Sequence, residues 1–165
     1  MAKSEKFDFS QPLILHQDSV KPQWVDEYDH MNLAYYVLVC DEATYEFWNL
    51  VNNYKSLEER NAMEYAVVET HVNYIREVRL GDPLTVSTQL LGHDEKRFHI
   101  FHTLSHAEDA FVAATNEVMA LGFNLDRRGI QPFAESVQAN IRQLFAGHGR
   151  LARPSNAGRS IGIRS

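Results

Sequence analysis

Nine consecutive residues, Trp24-Val25-Asp26-Glu27-Tyr28-Asp29-His30-Met31-Asn32, concentrate three carboxylates, a histidine and two aromatic rings. If a helix starts just after them, its first turn offers free backbone N–H groups and a positive dipole end. Such a start can polarise a carbonyl oxygen where negative charge develops. A carboxylate a few residues upstream could stand on the other side of that carbonyl. It would then activate water as a general base or attack directly as a nucleophile. These are the parts that ester or thioester cleavage needs. The plainer reading of Asp and Asn ahead of a helix is capping alone.

A helix is predicted there. From Leu33 to about Val51, Tyr36, Cys40, Ala43, Phe47 and Leu50 recur at spacings of 4, 3, 4 and 3, which sets them on one face. Val37, Thr44 and Val51 widen the stripe, and Val39 and Trp48 carry apolar character further round, so the helix is expected to be largely buried. Asp29 and Asn32 are both candidate N-caps, and Asn52-Asn53 ends the helix.

Around this helix the period changes to two. Pro12 to His16 is a short strand candidate. Tyr65 to Val78, Leu84 to Leu90, Phe98 to Leu104 and Phe111 to Phe123 alternate as longer strands, separated by turns such as Gly81-Asp82-Pro83. The short linkers predict an antiparallel meander. Phe133, Val137, Ile141 and Leu144 share a face of a second helix over 132–145. The fold class is therefore α+β: an antiparallel sheet wrapped around one long helix, with a C-terminal helix and a tail. One domain is expected over 1–145, followed by a basic tail over 146–165. Such a sheet has open edges, and pairing through one makes a homodimer the default, with a dimer of dimers as its extension to a tetramer.

The whole-chain properties narrow the field. At 165 residues with 44% hydrophobic content, one packed globular unit is expected. A formal charge of −6 disfavours nucleic-acid binding through a basic surface. No apolar run approaches the roughly 20 residues that span a bilayer, and the polar N-terminus has no secretory h-region, so a cytoplasmic, non-membrane protein is expected. Cys40 is the only cysteine, which excludes an intrachain disulfide and a multi-cysteine zinc site. His99, His102 and His106 resemble a metal cluster on paper, but His99 would face away from the other two on a strand, and no metal is expected. No GxSxG elbow is present. Four arginines and no acid stand between Ala146 and Ser165. By composition that tail reads as disordered; its charge suits docking on an acidic body or meeting an anionic ligand.

The run Asp26-x-x-Asp29-His30-Met31-Asn32-x-x-Tyr35-Tyr36 resembles the signature of hot-dog-fold acyl-CoA thioesterases of the 4-hydroxybenzoyl-CoA thioesterase type. Glu69 to Tyr74, Gly81 to Val86 and Asn124 to Arg128 are also similar to that family, so the likeness covers roughly residues 18–133. It implies a hot-dog fold and hydrolysis of an acyl-CoA to free acid and CoA, with no metal or redox cofactor, coenzyme A being part of the substrate. It implies Asp26 as the catalytic carboxylate and N–H groups near Met31 to Ala34, Leu33 foremost, as the carbonyl-polarising site. Asn32 is implied to fix the loop and His30 to shape the pocket or hold water. The family usually carries Gly where this chain has Asp29. Gly permits unusual dihedrals, and Asp tolerates a left-handed conformation better than most residues but adds a charge.

A narrower resemblance, carried by WVDEYDHMN, by Asp41 to Thr44 and by Gly158 to Ile163, is to the thioesterases of carnitine breakdown. It implies betainyl-CoA as substrate. The quaternary ammonium of that acyl group suits an aromatic cage with nearby acids. Trp24, Tyr28, Asp29 and Tyr35 are the candidate substrate-binding residues. Two rival readings are a hot-dog hydratase or dehydratase and a non-catalytic acyl-CoA-binding module.

Overall fold

The computed structural model describes residues 7–163. Most of the polar N-terminal arm, together with Arg164 and Ser165 of the tail, lies outside the described residues. The elements are β1 (Leu13–Ser19), α1 (Leu33–Val51), β2 (Met63–Tyr74), β3 (Pro83–His93), β4 (Arg97–His106), β5 (Val112–Asn124), β6 (Gly129–Ile130) and α2 (Glu135–His148), with a 3-10 turn at Pro22–Trp24. One antiparallel sheet has the order β1-β3-β4-β5-β2, and β6 pairs with β5.

Helix α1 runs through the concave side of that sheet. Its predicted stripe is buried throughout: Tyr36, Cys40, Ala43, Phe47 and Leu50 all lie in the core, and Val39 and Trp48 extend it. Phe98 and Phe133 close around Trp48, at ring-centroid distances of 6.3 and 5.5 Å. A polar knot sits inside this apolar packing. The fully buried His102 of β4 contacts Thr44 of α1 at 2.8 Å through Nε2 and Thr88 of β3 at 2.9 Å through Nδ1. The Thr44 hydroxyl already donates to the Cys40 carbonyl. A hydroxyl has one hydrogen, so Nε2 must donate to Thr44, and Nδ1 accepts from Thr88. His102 is thus a neutral core residue, its pKa pushed down to about 3 by burial. His99 faces the other side of the sheet, where its Nε2 lies 2.7 Å from Glu117. Among the described residues no group of His, Cys, Asp or Glu is placed to hold a metal ion.

Several boundaries differ from the sequence pattern. β2 ends at Tyr74 rather than Val78, because Ile75 and Arg76 both turn their N–H groups to the Ala113 carbonyl and Val78 packs under the loop before α1. β1 continues to Ser19, since the polar Asp18 and Ser19 still pair with Leu84 and Pro83. α2 runs on past residue 145 to His148, whose buried ring accepts from Leu90 N at 2.9 Å.

The tail follows a defined path despite its composition. It crosses the convex face of the sheet, anchored by Gln89 to the Ala152 carbonyl, by Asn156 to Thr115 (2.8 Å), and by Gly158 N to Glu117 (2.7 Å). Phe101 lies buried on that face, outside the main core, in a depression it shares with Pro154 and Asn156.

Candidate active site

The loop Val25 to Asn32 is a tight excursion closed at its base. Val25 and Met31 form an antiparallel bridge, and Asn32 N donates to Trp24 O at 2.8 Å. Met31 N donates to Val78 O at 2.9 Å, and Val78 N in turn donates to the Tyr36 hydroxyl at 3.3 Å. Within the excursion Asp26 N donates to His30 O, and Asp29 N donates to Asp26 O, both at 3.1 Å. Such a reversal needs one left-handed residue. Asp29 supplies it, with φ of 69°. This is the physical reason a Gly suits the position and an Asp can replace it.

Asn32 rather than Asp29 caps α1: its Oδ1 accepts from Ala34 N at 3.0 Å. The neighbouring N–H groups are also engaged, Tyr35 N with Asn32 O and Met31 N with Val78 O. Leu33 N, at the first helical position, has no hydrogen-bond partner among the described residues. Its N–H is left unengaged at the edge of the cleft that Leu33 lines. The Tyr74 hydroxyl donates to Leu33 O at 3.3 Å and ties the end of β2 to this first turn.

Asp26 lines the same cleft as Leu33. Its Oδ1 accepts from Tyr28 N at 2.9 Å, which orients the carboxylate. Oδ1 also lies 3.9 Å from His30 Nδ1, while His30 Nε2 lies 3.4 Å from Glu77. The imidazole is therefore held between two carboxylates. Burial raises the pKa of Tyr36, so its phenol stays protonated.

A cleft of about 330 Å³ joins these groups: Asp26, His30, Asn32 and Leu33 line it, with Tyr36, Tyr74 and Arg76 to Glu77 on the opposite wall. The structure thus brings Asp26, His30, Asn32 and Leu33 together. It places the four candidate substrate-binding residues elsewhere. Trp24 is buried and stacks on Tyr35 at 5.5 Å, and Lys21 covers its ring at 4.5 Å, so that indole already has a cation of its own. Tyr28 is exposed and stacks on His30 at 6.2 Å. Asp29 is spent on the turn. Tyr74 and Glu77 were not singled out as site residues from the sequence. They lie more than 40 residues from Asp26 along the chain, and only the sheet brings them to it. The alternation of β2 ending on an aromatic is the one local signal that could have pointed to Tyr74.

The chain as a whole is similar to known proteins in sequence and in fold. The model of the thioesterase-like superfamily fits residues 20–141. The chain belongs to the thioesterase-like superfamily. Its relatives are named thioesterases, and this chain is a thioester hydrolase. A betainyl-CoA thioesterase of Pseudomonas aeruginosa is 34% identical over 154 residues, covering 93% of this chain and 97% of the relative. An L-carnitine dehydrogenase/betainyl-CoA thioesterase of Rhizobium meliloti is 31% identical over 96% of this chain, which spans only 32% of that longer relative. Among solved structures, a Staphylococcus aureus protein in complex with CoA superposes with a TM-score of 0.83 at 29% identity, over 93% of this chain and 97% of the other. A putative thioesterase of Pseudomonas putida gives 0.79 at 29% identity, over 94% and 99%. No helix among the described residues is long and apolar enough to cross a membrane.

Proposed function

We propose that this enzyme hydrolyses betainyl-CoA, or a closely similar small cationic acyl-CoA, to the free acid and CoA, with Asp26 as the reacting carboxylate. The observation that carries the reading is the placing of Asp26 and the unclaimed Leu33 amide on one cleft. A thioester carbonyl entering between them meets a carboxylate on its carbon side and an N–H donor at its oxygen. Asp26 removes a proton from the attacking water, or attacks the carbonyl carbon itself and is released by water. In either route the oxyanion collapses, the C–S bond breaks, and CoA leaves as the thiol after taking a proton. His30, between Asp26 and Glu77, holds the water and passes the proton. Asn32 fixes the helix start, and so fixes where the Leu33 N–H points.

The acyl preference follows from chemistry and from the relatives. In a betainyl group the quaternary nitrogen is separated from the thioester carbon by one methylene. A carboxylate positioned for the carbonyl therefore also lies close to the cation. A quaternary ammonium donates no hydrogen bond, so it is best held by aromatic rings and carboxylates. Tyr36 and Tyr74, edge to face at 5.3 Å, and Glu77 offer both in the same cleft. Of the sequence candidates, Tyr28 stacks on His30 and Asp29 shapes the loop, while Trp24 and Tyr35 stack on each other outside the cleft lining. The named substrate of the curated relatives agrees with this charge pattern.

The unpaired outer edge of β2 is the place for a second copy, giving a homodimer or a dimer of such dimers. CoA release from a panel containing betainyl-CoA, acetyl-CoA, butyryl-CoA and benzoyl-CoA tests the proposal. Betainyl-CoA is expected to give the highest kcat/KM. Preference for an uncharged acyl group would overturn the cationic reading, and water addition to an enoyl-CoA without thiol release would overturn hydrolysis itself.

A further inference from the structure

The tail crosses the strands in the order in which they lie in the sheet. Ala152 is bound from β3, Pro154 to Asn156 lie over Phe101 and Thr103 of β4, and Asn156 and Gly158 are held by β5. Residues 158–161 then reach β2, over Glu69 to His71, where about 550 Å³ of space opens beneath them. β2 is the edge strand, so the chain is travelling off the sheet at this point. Its last described apolar residues, Ile161 and Ile163, are 92% and 105% exposed. Scattered surface hydrophobics are ordinary, but a pair of isoleucines at alternate positions with nothing to pack on is not.

The edge they reach is also incomplete. Val67, Val68, Glu69 and Thr70 are four consecutive exposed residues in the middle of a strand. Val68 is 56% exposed. A bulge between Val67 and Glu69 interrupts the pairing with β5 there. The charges differ in sign as well. The tail is basic, with Arg159 at the crossing, and β2 carries Glu69 beneath it in a chain of net charge −6.

We infer that the end of the tail, Ser160 to Ile163, is an arm that straps a second copy of this chain, laying Ile161 and Ile163 on the convex face of that copy beside its own β2. In a two-fold pairing across β2 each copy gives one arm and receives one, so both pairs of isoleucines are covered at once. The Gly158–Glu117 and Glu117–His99 contacts then serve as the clamp that aims the arm across the edge. This inference rests on the dimer in the reading above and not on the chemistry of the cleft.

The test is the dimer dissociation constant by sedimentation, for the wild-type chain, for the double variant Ile161→Asp/Ile163→Asp and for a chain ending at Ser160. Both isoleucines are fully exposed within one copy, so neither change should disturb the fold, and far-UV circular dichroism checks this. A dimer at least ~10-fold weaker in both altered chains is expected, the loss that follows when interfacial apolar side chains are not buried. An unchanged dissociation constant would overturn the strap and leave the dimer standing. A wild-type chain that is monomeric at micromolar concentration would overturn both. CoA release measured in parallel keeps the hydrolytic reading separate from either result.

Discussion

His30 Nε2 stands 3.4 Å from the Glu77 carboxylate, linking the loop before α1 to the segment after β2. Glu77 is held below the usual carboxylate range chiefly by its hydrogen bond from Arg79, so it is an anion at neutral pH. It is half-exposed at the cleft mouth, and its loss should spare the fold. Glu77→Gln is expected to lower kcat/KM about fivefold for a cationic acyl-CoA and less than twofold for a neutral one of equal length, the modest size reflecting solvent screening. Paired steady-state kinetics on the two substrates check this.

The Leu33 amide can be tested without removing a side chain that packs. Proline is tolerated at the first helical position, where it deletes only the N–H. Asn32 already has the extended backbone that a following proline requires, with ψ of 143°. Leu33→Pro should therefore keep its melting temperature within a few degrees while kcat falls by roughly 10²–10³, the usual cost of losing one oxyanion donor. Equal loss of stability and activity would point to a purely structural role.

At position 29 the backbone, not the charge, makes the stronger demand. Asp29→Gly should retain activity and stability, because Gly adopts φ of 69° without strain. Asp29→Val should cost about 1–2 kcal/mol in chemical denaturation, the penalty for a side chain forced left-handed.

Burial of His102 gives the fold a pH dependence of known sign. Its folded pKa is about 3, below an unfolded value near 6.5. The unfolded chain therefore takes up the proton first. The contribution is complete above about pH 6.5 and is lost as pH falls from there toward 3. Burial lowers the pKa of His148 in the same sense. Thermal unfolding from pH 7 to pH 4 should show falling stability, and His102→Gln should flatten part of that slope.

Much of this was legible in the residues themselves. The long stripe from Tyr36 to Leu50 specified α1 because its apolar period persists over about four turns. The Asp26 to Leu33 wall was legible because it is contiguous in sequence. The opposite wall was not, since Tyr74 and Glu77 reach it only through strand pairing. Trp24 misled for a related reason: an exposed-looking loop aromatic is in fact buried by Tyr35 and capped by Lys21. The tail defied its composition because Asn156 and Gly158 find partners on a sheet face that no local pattern reveals.

The most direct measurement is the rate of CoA release from betainyl-CoA by the wild-type enzyme and by Asp26→Asn, followed with a thiol reagent. The two side chains have nearly the same shape, and Asn can still accept from Tyr28 N, so the loop should hold. A fall of about 10²–10⁴ in kcat with little change in KM is predicted for a general base or nucleophile. Full CoA release by Asp26→Asn would contradict the account.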